Sequence, residues 1–151
     1  MKAVSALDRT GTGLEYLQKI VSGEYGNVPI GDHVGFRMAE VSKGRIVFTG
    51  TPEENVLNLI GTVHGGYAAT ILDSALALSV LSSLDADSNF TTLEIKVNYV
   101  RPITPGMPVR AEGTVVHSGR RVATSEARLT DSEGRLLAHG TTTCLILPRK
   151  Q

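Results

Sequence analysis

Leu14, Leu17, Ile20 and Val21 recur at helical spacing ahead of Gly23. That spacing predicts a short amphipathic helix over 14–22, followed by a loop running through Pro29. Two strands are expected next, 34–41 and 45–51, about the turn Ser42-Lys43-Gly44, with 51–61 as a connection. From 63 to about 83, Tyr67, Ala68, Ile71, Leu72, Ala75 and Leu78 stand at steps of three and four. The run is too long for a strand and predicts the one long helix. Downstream the period drops to two, and runs at 90–101, 107–118, 121–130 and 135–147 lie between turn signals. Within the first of these, Leu93, Ile95, Val97 and Tyr99 alternate with Glu94, Lys96 and Asn98, the pattern of a half-buried antiparallel strand. A single antiparallel sheet curling around the long helix buries this set of elements most economically, which is an α+β architecture.

The chain has 151 residues, the size of one domain, with the patterned core spanning about 14–147. Its 15 Lys+Arg balance 15 Asp+Glu, so no global field exists to hold nucleic acid or an anionic membrane, and an anionic ligand has to be met by a local patch. Cys144 is the one cysteine and cannot form an intrachain disulfide, and the first residues lack the apolar run of a signal peptide. A reducing cytoplasm is the expected location. The apolar stretch 63–84 approaches membrane-spanning length but carries His64, Asp73, glycines and serines, so a helix buried by its own sheet is expected.

The segment NLIGTVHGGYAATILDSA (58–75) runs from the connection into the long helix and holds the candidate chemistry. His64-Gly65-Gly66 falls at the helix start, where the first N–H groups lack intrahelical partners and the dipole favours negative charge, so this end can hold an oxyanion. Two adjacent glycines are poor helix formers. Either they admit a ligand carbonyl to the backbone, or they let the helix start pack tightly against a strand. Asp73 lies among Ala69, Thr70, Leu72, Leu76 and Ala77. It is either a carboxylate made basic by apolar surroundings or an ordinary acid on a solvated face.

The segment 58–75, together with FTTLEIKVNYVRPITPG (90–106) and GRRVATSEARLTDSEGRLLAHGTTTCLIL (119–147), resembles the phenylacetate-degradation (PaaI-like) branch of hotdog thioesterases. The specific part of the resemblance is the combination of Asn58, Gly61, His64-Gly65-Gly66, Asp73 and the strand ending in Arg101-Pro102. It implies the hotdog fold, a homodimer that pairs again into a tetramer, hydrolysis of an acyl-CoA thioester, and no metal or organic cofactor. Carried onto these residues, Asp73 is the nucleophile or the general base that activates water, and the Gly65 N–H holds the thioester oxygen. His64 and Asn58 orient the loop and the carbonyl. Thr92 falls where relatives place a hydroxyl that positions the water, with Thr91 as its neighbour in an unsettled register. Gly66 is assigned to substrate binding.

Arg120 and Arg121, in a turn, are candidates for CoA phosphates, with solvated arginine as the bland alternative. Cys144 is expected to be a small core residue, and His33, His117 and His139 show no metal-ligand spacing. A hotdog dehydratase or hydratase using His64 as base, and a non-catalytic acyl-CoA-binding module, are the competing readings. Finally, His64-Gly65 and Asp73 are eight to nine residues apart on one helix, roughly 12–14 Å along its axis. One thioester carbon cannot touch both, which leads to the expectation that two antiparallel helices of a two-fold dimer build each site.

Overall fold

The computed structural model describes residues 9–149. The elements are helices α1 (Gly13–Val21) and α2 (Pro29–Val34), strands β1 (Phe36–Ser42) and β2 (Arg45–Gly50), helix α3 (Gly65–Ser82), and strands β3 (Ser88–Tyr99), β4 (Val109–Ser118), β5 (Val122–Asp131) and β6 (Leu136–Pro148). The strands form one antiparallel sheet in the order β1-β2-β4-β5-β6-β3, curled around α3.

Local chemistry explains where the helices begin. At α1, Thr12 Oγ1 accepts from the Glu15 N–H (3.2 Å) and the Glu15 carboxylate accepts from the Thr12 N–H (2.8 Å), a reciprocal cap. Tyr16, Leu17 and Ile20 then turn inward. Helix α2 corrects the expected loop and the expected strand start at 34. Pro29 opens it and Gly35, in the left-handed conformation, closes it, so Val34 ends a helix and the strand begins at Phe36.

Helix α3 is long and apolar enough to cross a membrane by length and composition, yet the sheet covers most of it. Ile71, Leu72, Ala75, Leu76 and Val80 have no exposed surface. Strand β4 passes so close that a side chain at Gly113 would overlap the Ala75 backbone, and Ser125 Oγ of β5 donates to the buried Leu76 carbonyl (2.8 Å). The opposite stripe, Ala69, Thr70, Asp73, Ser74, Ala77 and Leu78, is only half-buried. Those residues follow one another at steps of one, three and four, so they form a single helical face that the sheet leaves open.

Strand β3 lies at the edge of the sheet, paired only with β6 among the described residues. Thr92 faces Cys144 and Glu94 faces Thr143, so Leu93 is an extra residue, a β-bulge. The alternation changes parity there. Thr92 and Ile95, opposite the buried Cys144 and Thr142, both turn toward α3, while Leu93 bulges out with 59% of its surface exposed. The bulge therefore corrects the unbroken alternation expected from Leu93 onward.

Candidate active site

Three backbone contacts fix the start of α3: the His64 N–H donates to Val56 O (2.8 Å), the Val63 N–H to Ile103 O (2.9 Å), and Leu57 bridges Val63. Asn58 organises the preceding loop. Its Oδ1 accepts from the N–H groups of Ile60 (3.0 Å) and Thr62 (3.2 Å), and its Nδ2 donates to Thr62 Oγ1 (2.7 Å). His64 is the N-cap, its Nδ1 accepting from the Gly66 N–H at 2.8 Å. The Gly65 N–H points out of the first turn with no hydrogen-bond partner among the described residues. Of the two candidate donors, then, Gly66 is committed to the cap and Gly65 is free.

Both glycines also have a packing reason. A Cβ at Gly65 would sit 3.2 Å from the Tyr99 ring, whose hydroxyl donates to Gly65 O (3.1 Å), and a Cβ at Gly66 would sit 2.9 Å from His64 Nδ1. Tyr99 thus clamps the helix start, a role the sequence pattern did not reveal because Tyr99 reads there only as one beat of an alternation. Tyr99, Val63, Ala68, Ile103 and Leu137 line a mostly apolar cleft of about 270 Å³ that opens beside His64 and Gly65. A larger hollow of about 630 Å³, between α2 and the ends of β1, β2 and β4, holds none of the expected site residues.

Asp73 lies two turns further along, on the half-open stripe. Burial raises its carboxyl above the ordinary aspartate value. Cys144, fully buried beneath it, has its thiol pushed up by burial and further by the Asp73 charge, against hydrogen bonds from Thr92 and Thr142. It remains a neutral thiol of the core. The bulge brings Thr92 to this point, with Oγ1 3.9 Å from Cys144 Sγ, whereas Thr91 is exposed on the other side of the strand. Asp73 and Thr92 therefore converge within one chain, and the Gly65 N–H does not join them. Arg120 and Arg121 are further removed: their turn follows Ser118, whose hydroxyl lies 3.4 Å from that of Ser83 at the far end of α3.

A sequence profile of the thioesterase superfamily matches residues 60–138, from the Asn58 loop to the start of β6. The chain belongs to the thioesterase superfamily. Within that superfamily it is similar to the 1,4-dihydroxy-2-naphthoyl-CoA hydrolase of Listeria monocytogenes, 27% identical over 104 residues that make up 69% of this chain and 84% of that one. The phenylacetic acid degradation protein PaaI of Thermus thermophilus superposes with a TM-score of 0.73 at 29% identity, covering 78% of this chain and 98% of that one. A Streptococcus mutans protein solved with acetyl-CoA bound superposes with a TM-score of 0.70 at 26% identity, covering 77% of this chain and 91% of that one. The superfamily's hotdog fold is the sheet-wrapped helix described above, and the resemblance to the PaaI-like branch holds.

Proposed function

We propose that this protein hydrolyses acyl-CoA thioesters at two equivalent sites, each shared by two copies of the chain. The observation that carries the reading is the separation of the two chemical groups on one helix. The free Gly65 N–H at the start of α3 and the half-buried Asp73 carboxylate are about 12 Å apart along the axis. Neither completes a site alone. The half-open stripe on which Asp73 stands and the unpaired β3 edge beside it are the two surfaces that an antiparallel two-fold partner covers. Such a partner brings its own Asp73 to Gly65 of the first chain, and the reverse, giving two sites by symmetry.

In each site the Gly65 N–H, aided by the helix dipole, stabilises the charge that develops on the thioester oxygen. Asp73, raised by burial, attacks the carbonyl or takes a proton from water, and the CoA thiolate leaves. The Thr92 hydroxyl on the Asp73 side favours the water route, since it supplies a second hydrogen-bonding group for a water beside the carboxylate. Single turnover in ¹⁸O-labelled water tests the nucleophile route: label in Asp73 means that water opened an acyl-aspartyl anhydride at the Asp73 carbonyl. Since opening at the acyl carbonyl labels the released acid as the water route does, trapping of the anhydride with hydroxylamine separates those two.

His64 is a weak candidate for a dehydratase base. Its Nδ1 lone pair is used in capping, so the neutral ring carries its proton on Nε2 and has no lone pair left to offer. Release of free thiol from a panel of phenylacetyl-, benzoyl- and straight-chain acyl-CoAs tests the activity, and a binding module would not exceed one equivalent per chain. For the shared site, a Gly65→Pro chain and an Asp73→Asn chain are unfolded and refolded together. Mixed dimers carry both lesions in one site and none in the other, so an equal mixture regains about a quarter of wild-type activity. Well-formed mixed dimers with no activity would place each site within a single chain.

A further inference from the structure

The loop that leads into α3 carries the most exposed apolar side chains of the described residues. Leu59 is fully exposed and Ile60 is 84% exposed, at the tip of the turn between Asn58 and Thr62. They are not on a slack segment. The Asn58 side chain ties both arms of the turn, and backbone bonds join Asn58 to Thr62 O (2.8 Å) and Gly61 to Asn58 O (3.2 Å). The loop therefore holds two large hydrocarbon groups out in water, and beside them lies an open hollow of about 560 Å³ between Leu57, Leu59, Ile60 and His64. An ordered apolar tip of this kind marks a contact surface.

We infer that Leu59 and Ile60 of each chain seat on the second copy and form an apolar wall of the shared site; this rests on the two-chain reading above. Three observations favour a second copy as the occupant. First, the tip adjoins His64 and Gly65, the end of α3 that the shared site requires to face the partner. Second, the open stripe of α3 is made of small or polar side chains, with Leu78 its one large apolar member. The stripe and one strand edge supply little apolar surface toward the total of about 1,200 Å² or more that a stable dimer buries. Third, matching apolar surface is available: Leu93 stands exposed at the bulge of β3. With Gly65 opposite the partner's residue 73, pairs across the two-fold sum to 138, so the segment before Gly65 falls toward the half of the partner's α3 that lies beyond Asp73. The start of β3 and its bulge adjoin that half.

The double variant Leu59→Ser/Ile60→Ser tests this, with Leu59→Met/Ile60→Leu as the conservative companion. Both positions are exposed in the single chain, so the fold itself should be unchanged by circular dichroism. The serine variant should dissociate at concentrations at least tenfold higher than wild type in sedimentation velocity, and the conservative variant should match wild type. Refolded with Asp73→Asn at concentrations where the dimer forms, the serine chain should regain a wild-type site, because its own loop and its partner's lost carboxylate fall in the same site. If the Gly65→Pro and Asp73→Asn pair complements but this pair does not, the wall is not shared and the inference fails while the two-chain site stands. Unchanged dissociation overturns it as well. So does a serine variant that dimerises normally but loses binding to phosphatidylglycerol vesicles, which would make the tip a lipid contact.

Discussion

The two long faces of α3 differ in almost every respect. The face beneath β4 and β5 carries Ile71, Leu72, Ala75 and Leu76 at no exposure, approached so closely that position 113 has to be glycine. The other face carries small or polar side chains, one carboxylate and Leu78, all only half-buried. The closed face accounts for why the chain folds, since each buried leucine or isoleucine contributes about 1.5–3 kcal/mol by leaving water. On the open face Asp73 costs stability, because burial disfavours its charge. On the proposed reading, a destabilising group kept two turns from a free backbone donor on the same helix serves function, and the difference between the faces would separate the part of the helix that builds the molecule from the part that acts.

The largest effect should come from removing the charge on the open face. Asp73→Asn should lower thiol release by at least about 10²-fold, the contribution expected of a general base. The same variant should unfold at higher temperature at neutral pH. With a raised native pKa, protonated Asp73 is favoured in the folded chain, so the wild type loses stability as pH rises through that value. The advantage of asparagine should vanish as pH falls below about 3.9, the ordinary aspartate value. A variant less stable than wild type at pH 7 would contradict the account of the two faces.

Next in size is the helix end. Gly65→Pro removes the N–H while suiting the first helical position, and His64, at φ −60° and ψ 138°, already has the extended backbone that a following proline demands. The activation free energy should rise by about 2.7–4 kcal/mol with the helix intact, and Gly65→Ala, which crowds the Tyr99 ring with the same Cβ (3.2 Å) but keeps the N–H, should lose clearly less. On the closed face, Leu72→Ala should cost about 2–5 kcal/mol in urea unfolding. Leu78→Ala, on the half-open face, should cost clearly less in the same measurement, and equal costs would erase the contrast. The smallest effect is expected from Tyr99→Phe, which keeps the ring on Gly65 and loses one exposed hydrogen bond. It should lower kcat a few-fold, leave KM nearly unchanged and lower the melting temperature by no more than a few degrees, consistent with about 0.5–1.5 kcal/mol for such a bond.

Much of this was legible in the residues. The long helix, its start at His64 and the strands downstream follow from periodicities sustained over ten or more positions, where local exceptions average out. Helix α2 was not, because six residues are too few for a period and only Pro29 and Gly35 mark it. The bulge at Leu93 escaped for the opposite reason: the alternation from Leu93 to Tyr99 is regular, and parity is lost only in the pairing with β6. That pairing turns Thr92 toward α3 and Thr91 away from it, which no single-strand pattern can reveal. The resemblance names His64 and Asn58 for orienting the loop and the carbonyl; the hydrogen bonds place His64 at the cap of α3 and Asn58 across the loop before it. The exposed Leu59 and Ile60 read as mere connection, since a hydrophobic pair in sequence does not announce whether it will be covered.

The unpaired edge of β3 bears on how the protein is made. On the two-chain reading proposed above, a chain that has closed its sheet but not yet met another copy presents a 12-residue strand with an open row of backbone donors and acceptors and exposed leucine, isoleucine and tyrosine beside it. Such an edge templates strand addition by any extended chain, and the Leu93 bulge with Glu94 and Lys96 is its only blunting. Refolding yield should therefore pass through an optimum in protein concentration: too dilute, and the edge stays open for long; too concentrated, and unfolded chains reach it before a folded twin does.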